Sequence, residues 1–259
     1  MRFFRTFIKY WDYACYSAQC TLKTEVANSY LNWIWWLLEP LGMMCVYATV
    51  FGVFFHSKEQ YYPVFIFIGL TMWNFFNGVL LDSINLIRRR RGIIANVYIP
   101  KYMILLSQVL LFGFKMLLSF GIVAIMLLAY RIPIGYHIFT AVGILPVFIL
   151  FCYGISAVFM NMGVYISDLF DAMKIGLRML MYLSGIFYSV EKRVPQPYGR
   201  LLGKYNPVAF FINSFREAIL YNRMPNIKWM GIWVLASLGL TTLGIWLIGK
   251  NENDYVKVI

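Results

Sequence analysis

The sequence predicts an all-α membrane protein. It would hold six transmembrane helices, an N-terminal interfacial helix, a helix on the inner side after span two, and re-entrant helices on the outer side after span five. Three observations predict this. Of the 259 residues, 61% are apolar and 13% charged, and aromatics reach 19%; soluble domains run at roughly half apolar and a quarter charged. Six apolar runs reach or approach the ~20 residues that cross a bilayer. Lys and Arg collect between alternate runs, as they do on the inner side of membrane proteins.

Residues 1–31 form the first element. Phe3, Phe4, Phe7, Ile8 and Trp11 alternate with Arg2, Arg5 and Lys9. That pattern suits a helix in the membrane plane, rings down and bases toward headgroups. An uninterrupted apolar core followed by a small-residue cleavage site, the mark of a signal peptide, is not seen here.

The six runs cover residues 33–55, 62–87, 102–130, 138–166, 175–190 and 229–248. The fifth is short and needs the adjoining Met173 end, or a thinned membrane, to span. With the N-terminus inside, the inner segments hold Arg2, Arg5, Lys9 and Lys23, then Arg88 to Arg91 with Lys101, then Lys174 and Arg178, then Lys250 and Lys257. The two short outer loops hold only Lys58 and Arg131. Both termini are therefore expected in the cytoplasm. The loop after span five carries Lys192, Arg193, Arg200, Lys204, Arg216, Arg223 and Lys228, and longer loops escape the charge rule.

Residues 191–228 are turn-rich at Pro195, Pro197 and Gly199 and then become apolar from 208 to 221. Asn206 before Pro207 is a helix-start signal. Asn213, Arg216 and Glu217 make this helix too polar to span, so it is expected to re-enter the outer leaflet against protein. The chain shows no fixed-period repeat and reads as a single membrane domain, 1–259.

Net charge is +12, which fits inner anchors and anionic lipid better than nucleic acid. Cys15, Cys20, Cys45 and Cys152 form no CxxC pair, and His56 and His137 lie far apart, so neither a disulfide framework nor a metal site is expected. GxxxxGK[ST], HExxH and GxSxG are all missing, so the chain is not expected to be an ATPase or another enzyme in its own right. Asp168 and Asp171 share a helix face and could hold a metal in a membrane glycan enzyme. With Lys174 and Arg178 nearby, they read more simply as helix-end ion pairs.

Two regions carry the functional reading. In residues 88–100, Arg88, Arg89, Arg90 and Arg91 precede an apolar stretch containing Ile93, Ile94, Val97 and Tyr98, helical in period and stopped by Pro100. A short amphipathic helix projecting inward between two spans suits docking by a cytosolic motor. Polar residues inside the runs (Glu39, Asn74, Asn77, Asp82, Gln108, Lys115 and Asn161) are costly in lipid and point to a path or an interface.

Four segments carry a resemblance. Leu22-Lys23 is followed by Ser29-Tyr30-Leu31 and Trp35-x-x-Leu38-x-Pro40. Ile99-Pro100-Lys101 precedes span three. Asp168-Leu169 is followed by Ser184-Gly185-Ile186-Phe187-Tyr188 and Val194-Pro195. Asn206-Pro207 is followed by Arg216. In this order the chain resembles the membrane subunits of type-2 ABC exporters for lipid-linked polysaccharides, which include wall teichoic acid, capsule and O-antigen permeases. Asn32, Ser167 and Gly185 depart from that pattern.

The resemblance implies a homodimer in a bacterial cytoplasmic membrane, working with two cytosolic ATPases. Those partners would bind ATP and Mg; this chain would hold no cofactor. Residues 88–100 would be the coupling helix and residues 191–228 the outer gate. A lipid-linked glycopolymer would pass between the permeases, held weakly on ring faces. Trp33, Trp36, Tyr47, Phe187, Tyr188, Phe210 and Phe211, with Asn206, Pro207 and Arg216, are the expected channel and gate residues. The basic outer loop leans toward a phosphate-rich teichoic acid. The alternatives are an exporter of a small drug or lipid, a glycan-assembly enzyme, and a passive channel.

Overall fold

A computed structural model describes residues 2–27, 32–54, 59–133, 135–252 and 255. Ser29, Tyr30, Leu31, His56, Lys58 and Lys257 lie outside the described residues. Among the described residues all regular structure is helical. Helix α1 (Arg2–Ala27) leads to α2 (Asn32–Tyr47), which continues as a π-helical segment (Ala48–Phe54). Then come α3 (Tyr62–Ile84), the short α4 (Leu86–Arg89) and α5 (Arg91–Asn96), and the long α6 (Lys101–Ala129) and α7 (Ile138–Tyr165). Helix α8 (Leu169–Leu183) precedes three shorter helices, α9 (Val190–Arg193), α10 (Tyr198–Tyr205) and α11 (Pro207–Ile219), and α12 (Ile227–Asn251) closes the chain.

Among the described residues, five helical stretches are long and apolar enough to cross a membrane: Trp33–Val53, Tyr62–Ile84, Lys101–Ala129, Ile138–Tyr165 and Ile227–Asn251. Helix α8 occupies the place of the short fifth run. It begins at Leu169, earlier than the apolar run, and its 15 residues extend about 22 Å, less than the ~30 Å hydrocarbon core. Only Leu177 of this helix is buried.

Helix α3 is the centre of the bundle. Buried residues fill 78% of its apolar window, against 11% in the first span and 17% in the last. Phe65, Phe67, Met72, Phe75 and Phe76 place large side chains around it, and α2, α6, α7, α8 and α11 pack on it. Helices α7 and α12 pack closely through small residues. A Cβ on Gly154 would stand 2.7 Å from the Thr241 backbone nitrogen, and one on Gly244 2.5 Å from the Ala157 Cβ. Close contact of small residues is how helices associate where lipid gives no hydrophobic drive.

Helix α1 follows the inner half of α6. Thr21 Oγ1 accepts from Arg90 at 3.1 Å, and Glu25 pairs with Lys115 at 2.6 Å. Ile8, Trp11 and Tyr16 remain exposed on it. At the other terminus, Tyr255 is fully buried and donates to Asn161 Oδ1 at 2.6 Å, which also accepts from Asn251 at 2.8 Å.

Candidate functional site

The outer segment is built around the end of α8. Gly185 has φ +66, a left-handed conformation open to glycine and closed to proline, and α8 stops at Leu183 just before it. The carbonyls beyond would be left without intrahelical donors. Three side chains from elsewhere satisfy them. Arg216 Nη1 donates to Gly185 O at 2.7 Å and Nη2 to Ile186 O at 2.8 Å. Tyr62 Oη donates to Phe187 O at 2.7 Å. Asn206 Nδ2 donates to Leu183 O at 3.4 Å and to Ser184 Oγ at 3.2 Å.

Asn206 also caps α11, its Oδ1 accepting from Val208 N at 3.1 Å and Ala209 N at 3.3 Å. Pro207 sits at the first helical position, where a missing N–H costs nothing. Arg216 is 2% exposed. Its Nε donates to Phe65 O at 3.0 Å, and its guanidinium carbon lies 3.5 Å from the Phe65 ring centroid. Gly69 leaves the room, since a Cβ there would run into the guanidinium. The pairing of Asn206-Pro207 with Arg216 thus folds α11 back against α3 and the end of α8.

The segment so held presents an aromatic cluster. The Phe187 ring lies 4.3 Å from Tyr47, 5.2 Å from Phe51 and 5.8 Å from Tyr182. Phe51 belongs to the π-helical stretch of the first span, and such widened turns are frequent at functional sites. Beside the cluster lies a cavity of about 310 Å³ lined by Phe51, Tyr62, Phe187, Tyr188, Arg193 and Val194. Tyr47, Phe187 and Tyr188 are therefore neighbours, with Phe187 buried at the centre. Phe210 and Phe211 are not part of this group. They sit in the chain's own core against Phe148, Phe151 and Trp233, because α11 turns that face toward α7. Trp33 stands apart, 49% exposed on α2. Sequence reasoning missed Phe51 and Tyr62; the Tyr-Pro start of α3 was the available signal for the second.

A second cavity, about 280 Å³, lies between α2, α3 and α6 and is lined by Trp36, Glu39, Thr71, Asn74, Asn77 and Lys115 among others. Four of the intramembrane polar residues thus converge. The Lys115 ammonium lies 4.9 Å from the Trp36 ring centroid as well as against Glu25. Asn77 and Phe112 also border a third cavity of about 440 Å³, which continues past Gly78 and Asp82 to Arg89. Gln108 and Asn161 are buried elsewhere, in α6 and α7.

After α3, the chain breaks at Asn85 and Arg90 to form α4 and α5. Val97 is extended (φ −134, ψ 131), and Ile99 precedes Pro100, a place that disfavours helix. The helix therefore spans Arg91–Asn96 and does not reach Ile99, and Pro100 is the cap residue before α6. Arg88 donates to Val164 O at 3.2 Å, Arg89 pairs with Asp82, and Arg90 reaches Thr21. Arg91 is exposed. Ile93, Val97 and Tyr98 are 38%, 55% and 67% exposed, with Ile94 half-buried behind them. The Tyr98 phenol is pushed above its usual pKa, mainly by the nearby Glu252 carboxylate.

Asp168 stands at the N-cap of α8 with Asp171 in its first turn, where negative charge favours a helix start. Among the described residues no group of three or more His, Cys, Asp or Glu is placed to hold a metal ion.

The chain is similar to known permeases over most of its length. It is 22% identical over 239 residues to an O-antigen export system permease protein RfbA of Klebsiella pneumoniae, covering 92% of this chain and 91% of the other. An RfbA of Myxococcus xanthus is 21% identical, covering 81% of each. The polysialic acid transport protein KpsM of Escherichia coli is 23% identical, covering 77% of this chain and 78% of the other. The description of the ABC-2 type transporter family matches residues 16–220. That match takes in residues 88–100, the polar cavity and the pinned helix α11, and the chain belongs to the ABC-2 type transporter family.

Proposed function

We propose that this chain is the membrane-spanning subunit of an exporter that moves a lipid-linked cell-surface glycopolymer across a bacterial cytoplasmic membrane. The observation that carries the reading is the half-buried rings of Tyr47 and Phe51, packed on the buried Phe187 with Tyr188 beside it, where Arg216 and Asn206 hold the chain next to a cavity that Phe51 and Tyr188 line. Ring faces accept many sugars with modest energy each, which suits a moving chain. The names of the similar proteins support a polysaccharide over a teichoic acid.

ATP and Mg would be bound by a separate cytosolic ATPase subunit, docking on Ile93, Val97 and Tyr98 with Arg91 beside them. Their exposure on the inner side supports this. Two copies of this chain would form the path between them, both termini cytoplasmic. Sparse burial of the first span within the chain supports a second copy against it.

Depletion of the protein followed by mass spectrometry of lipid-linked glycans tests the reading. Finished polymer on its carrier should accumulate at the inner face. Accumulation of unfinished precursors alone would overturn export in favour of an assembly enzyme.

A further inference from the structure

The cavity between α2, α3 and α6 is polar at a depth where polarity is expensive. Thr71 lies nine residues below Tyr62 in α3, about 13 Å along the helix. Asn74 and Asn77 continue the same face, three residues apart each time, so they stack in one column. Asn74 is exposed on the chain's surface, as is Glu39 opposite. An amide and a carboxylate at this level do not face hydrocarbon.

The Thr71 hydroxyl adds a second, independent observation. The residue is 2% exposed and lines the cavity, yet its Oγ1 has no hydrogen-bond partner. A buried orphan hydroxyl destabilises a fold. Valine would fill the same space without that cost, so the hydroxyl points to a partner that arrives.

The donor set defines that partner. Trp36 and Phe112 offer rings, one face of each lying near the Lys115 ammonium, at 4.9 Å and 5.5 Å from the centroids, which leaves the opposite face of Trp36 for a ligand. Thr71, Asn74, Asn77 and Glu39 offer hydroxyl, amide and carboxylate groups, able both to donate and to accept. Lys115 already pairs with Glu25 at 2.6 Å, and Glu39 adds negative charge, so the site does not favour an anion. A volume of about 280 Å³ is near the small end of ligand pockets, about 300 Å³. It holds one ring with its hydroxyls, not an extended chain.

We infer that this cavity is a binding subsite for a single neutral sugar residue, which lies on the Trp36 ring and bonds to Thr71, Asn74 and Glu39. The inference rests on the export reading above and deepens it, placing a sugar contact inside the membrane, apart from the outer aromatic cluster. The adjoining cavity toward Asp82 and Arg89 opens the subsite to the inner side.

The test uses the full chain with its ATPase, in cells making the polymer. A diazirine amino acid replaces Asn74 or Ser119 in the cavity, Tyr188 at the outer cluster, or Leu117, which is 62% exposed on α6. After irradiation the protein is purified and probed for covalently attached glycan by periodate–hydrazide staining. Glycan on the Asn74 and Ser119 variants, with none on the Leu117 variant, is expected. Capture of lipid or of a second copy of this chain at Asn74, with glycan still captured at Tyr188, would overturn the subsite and leave the export reading standing. If none of the positions captures glycan and depletion leaves the surface polymer unchanged, export fails and the subsite fails with it. In parallel, Thr71→Val is expected to lower export about 2- to 10-fold, the range of one hydrogen bond. Its melting temperature should match or exceed that of the unaltered protein. Full export by the variant would overturn the role given to Thr71.

Discussion

Arg216 and Gly185 form one joint. A fully buried guanidinium on α11 donates at 2.7 Å to the carbonyl of Gly185, whose φ is positive. The same guanidinium reaches Ile186 O and Phe65 O, so one side chain ties α11, the end of α8 and α3. Replacement by Ala would leave the buried carbonyls of Gly185 and Ile186 without these donors, each costing about 1–3 kcal/mol, while Phe65 O keeps its place in the α3 ladder. Arg216→Lys keeps the charge and loses the planar fork. Thermal unfolding in detergent should show a large drop for Ala and a smaller one for Lys. A melting temperature unchanged in both would refute the joint.

The inner patch makes a different prediction, because its side chains are exposed. Val97→Asp and Tyr98→Ala should change stability by less than about 0.5 kcal/mol, yet abolish co-purification of the ATPase subunit. The four-arginine replacement, Arg88 to Arg91 by Ala, should lower export and ATPase stimulation together. Normal export in that variant would remove residues 88–100 from coupling.

Lys115 and Glu25 should behave as a coupled pair. Lys115→Met strands a partly buried carboxylate and should cost about 1–3 kcal/mol, while adding Glu25→Gln should recover most of it. Additive losses in the double variant would mean that the two side chains do not interact in the membrane.

The outer rings separate packing from passage. Tyr47→Leu and Tyr188→Leu keep apolar volume but remove ring faces. Export should fall several-fold, about 1 kcal/mol per ring, with the melting temperature changed by only a few degrees. Cell-surface glycan quantified by sugar analysis reads the first effect, and thermal unfolding the second.

Much of the architecture was legible because long apolar runs and inner arginines report on the bilayer itself. What escaped depended on single backbone events. The start of α8 at Leu169 follows from Asp168 and Asp171 favouring a helix N-terminus, whereas Asp171 and Lys174 interrupt the apolar residues there, so that the apolar run counts only from Ile175. Its end depends on a left-handed Gly185, which hydropathy cannot register. In the docking segment, helical period was read through to Ile99, but the restriction imposed by Pro100 shortened the helix to Arg91–Asn96.

The site divided in the same way. Asn206, Pro207 and Arg216 could be read because caps and prolines carry local signals, although Arg216 serves as a buried tie, held against carbonyls. Phe210 and Phe211 could not be oriented from spacing, and only the packing of α11 on α7 sends them inward. The polar residues Glu39, Asn74, Asn77 and Lys115 were each visible in sequence. Their convergence needed three helices, although the recurrence of Thr71, Asn74 and Asn77 every three residues already marked one face.

Lys101 follows the docking segment directly and pairs with Glu252 at 3.0 Å, while Tyr255 and Asn251 hold Asn161. The feet of three long helices, α6, α7 and α12, are thereby riveted together immediately beside the place where force would arrive. If the proposed ATPase pushes on Tyr98, those ties would let the pillar tilt as a whole and carry the stroke across the membrane without bending at its base.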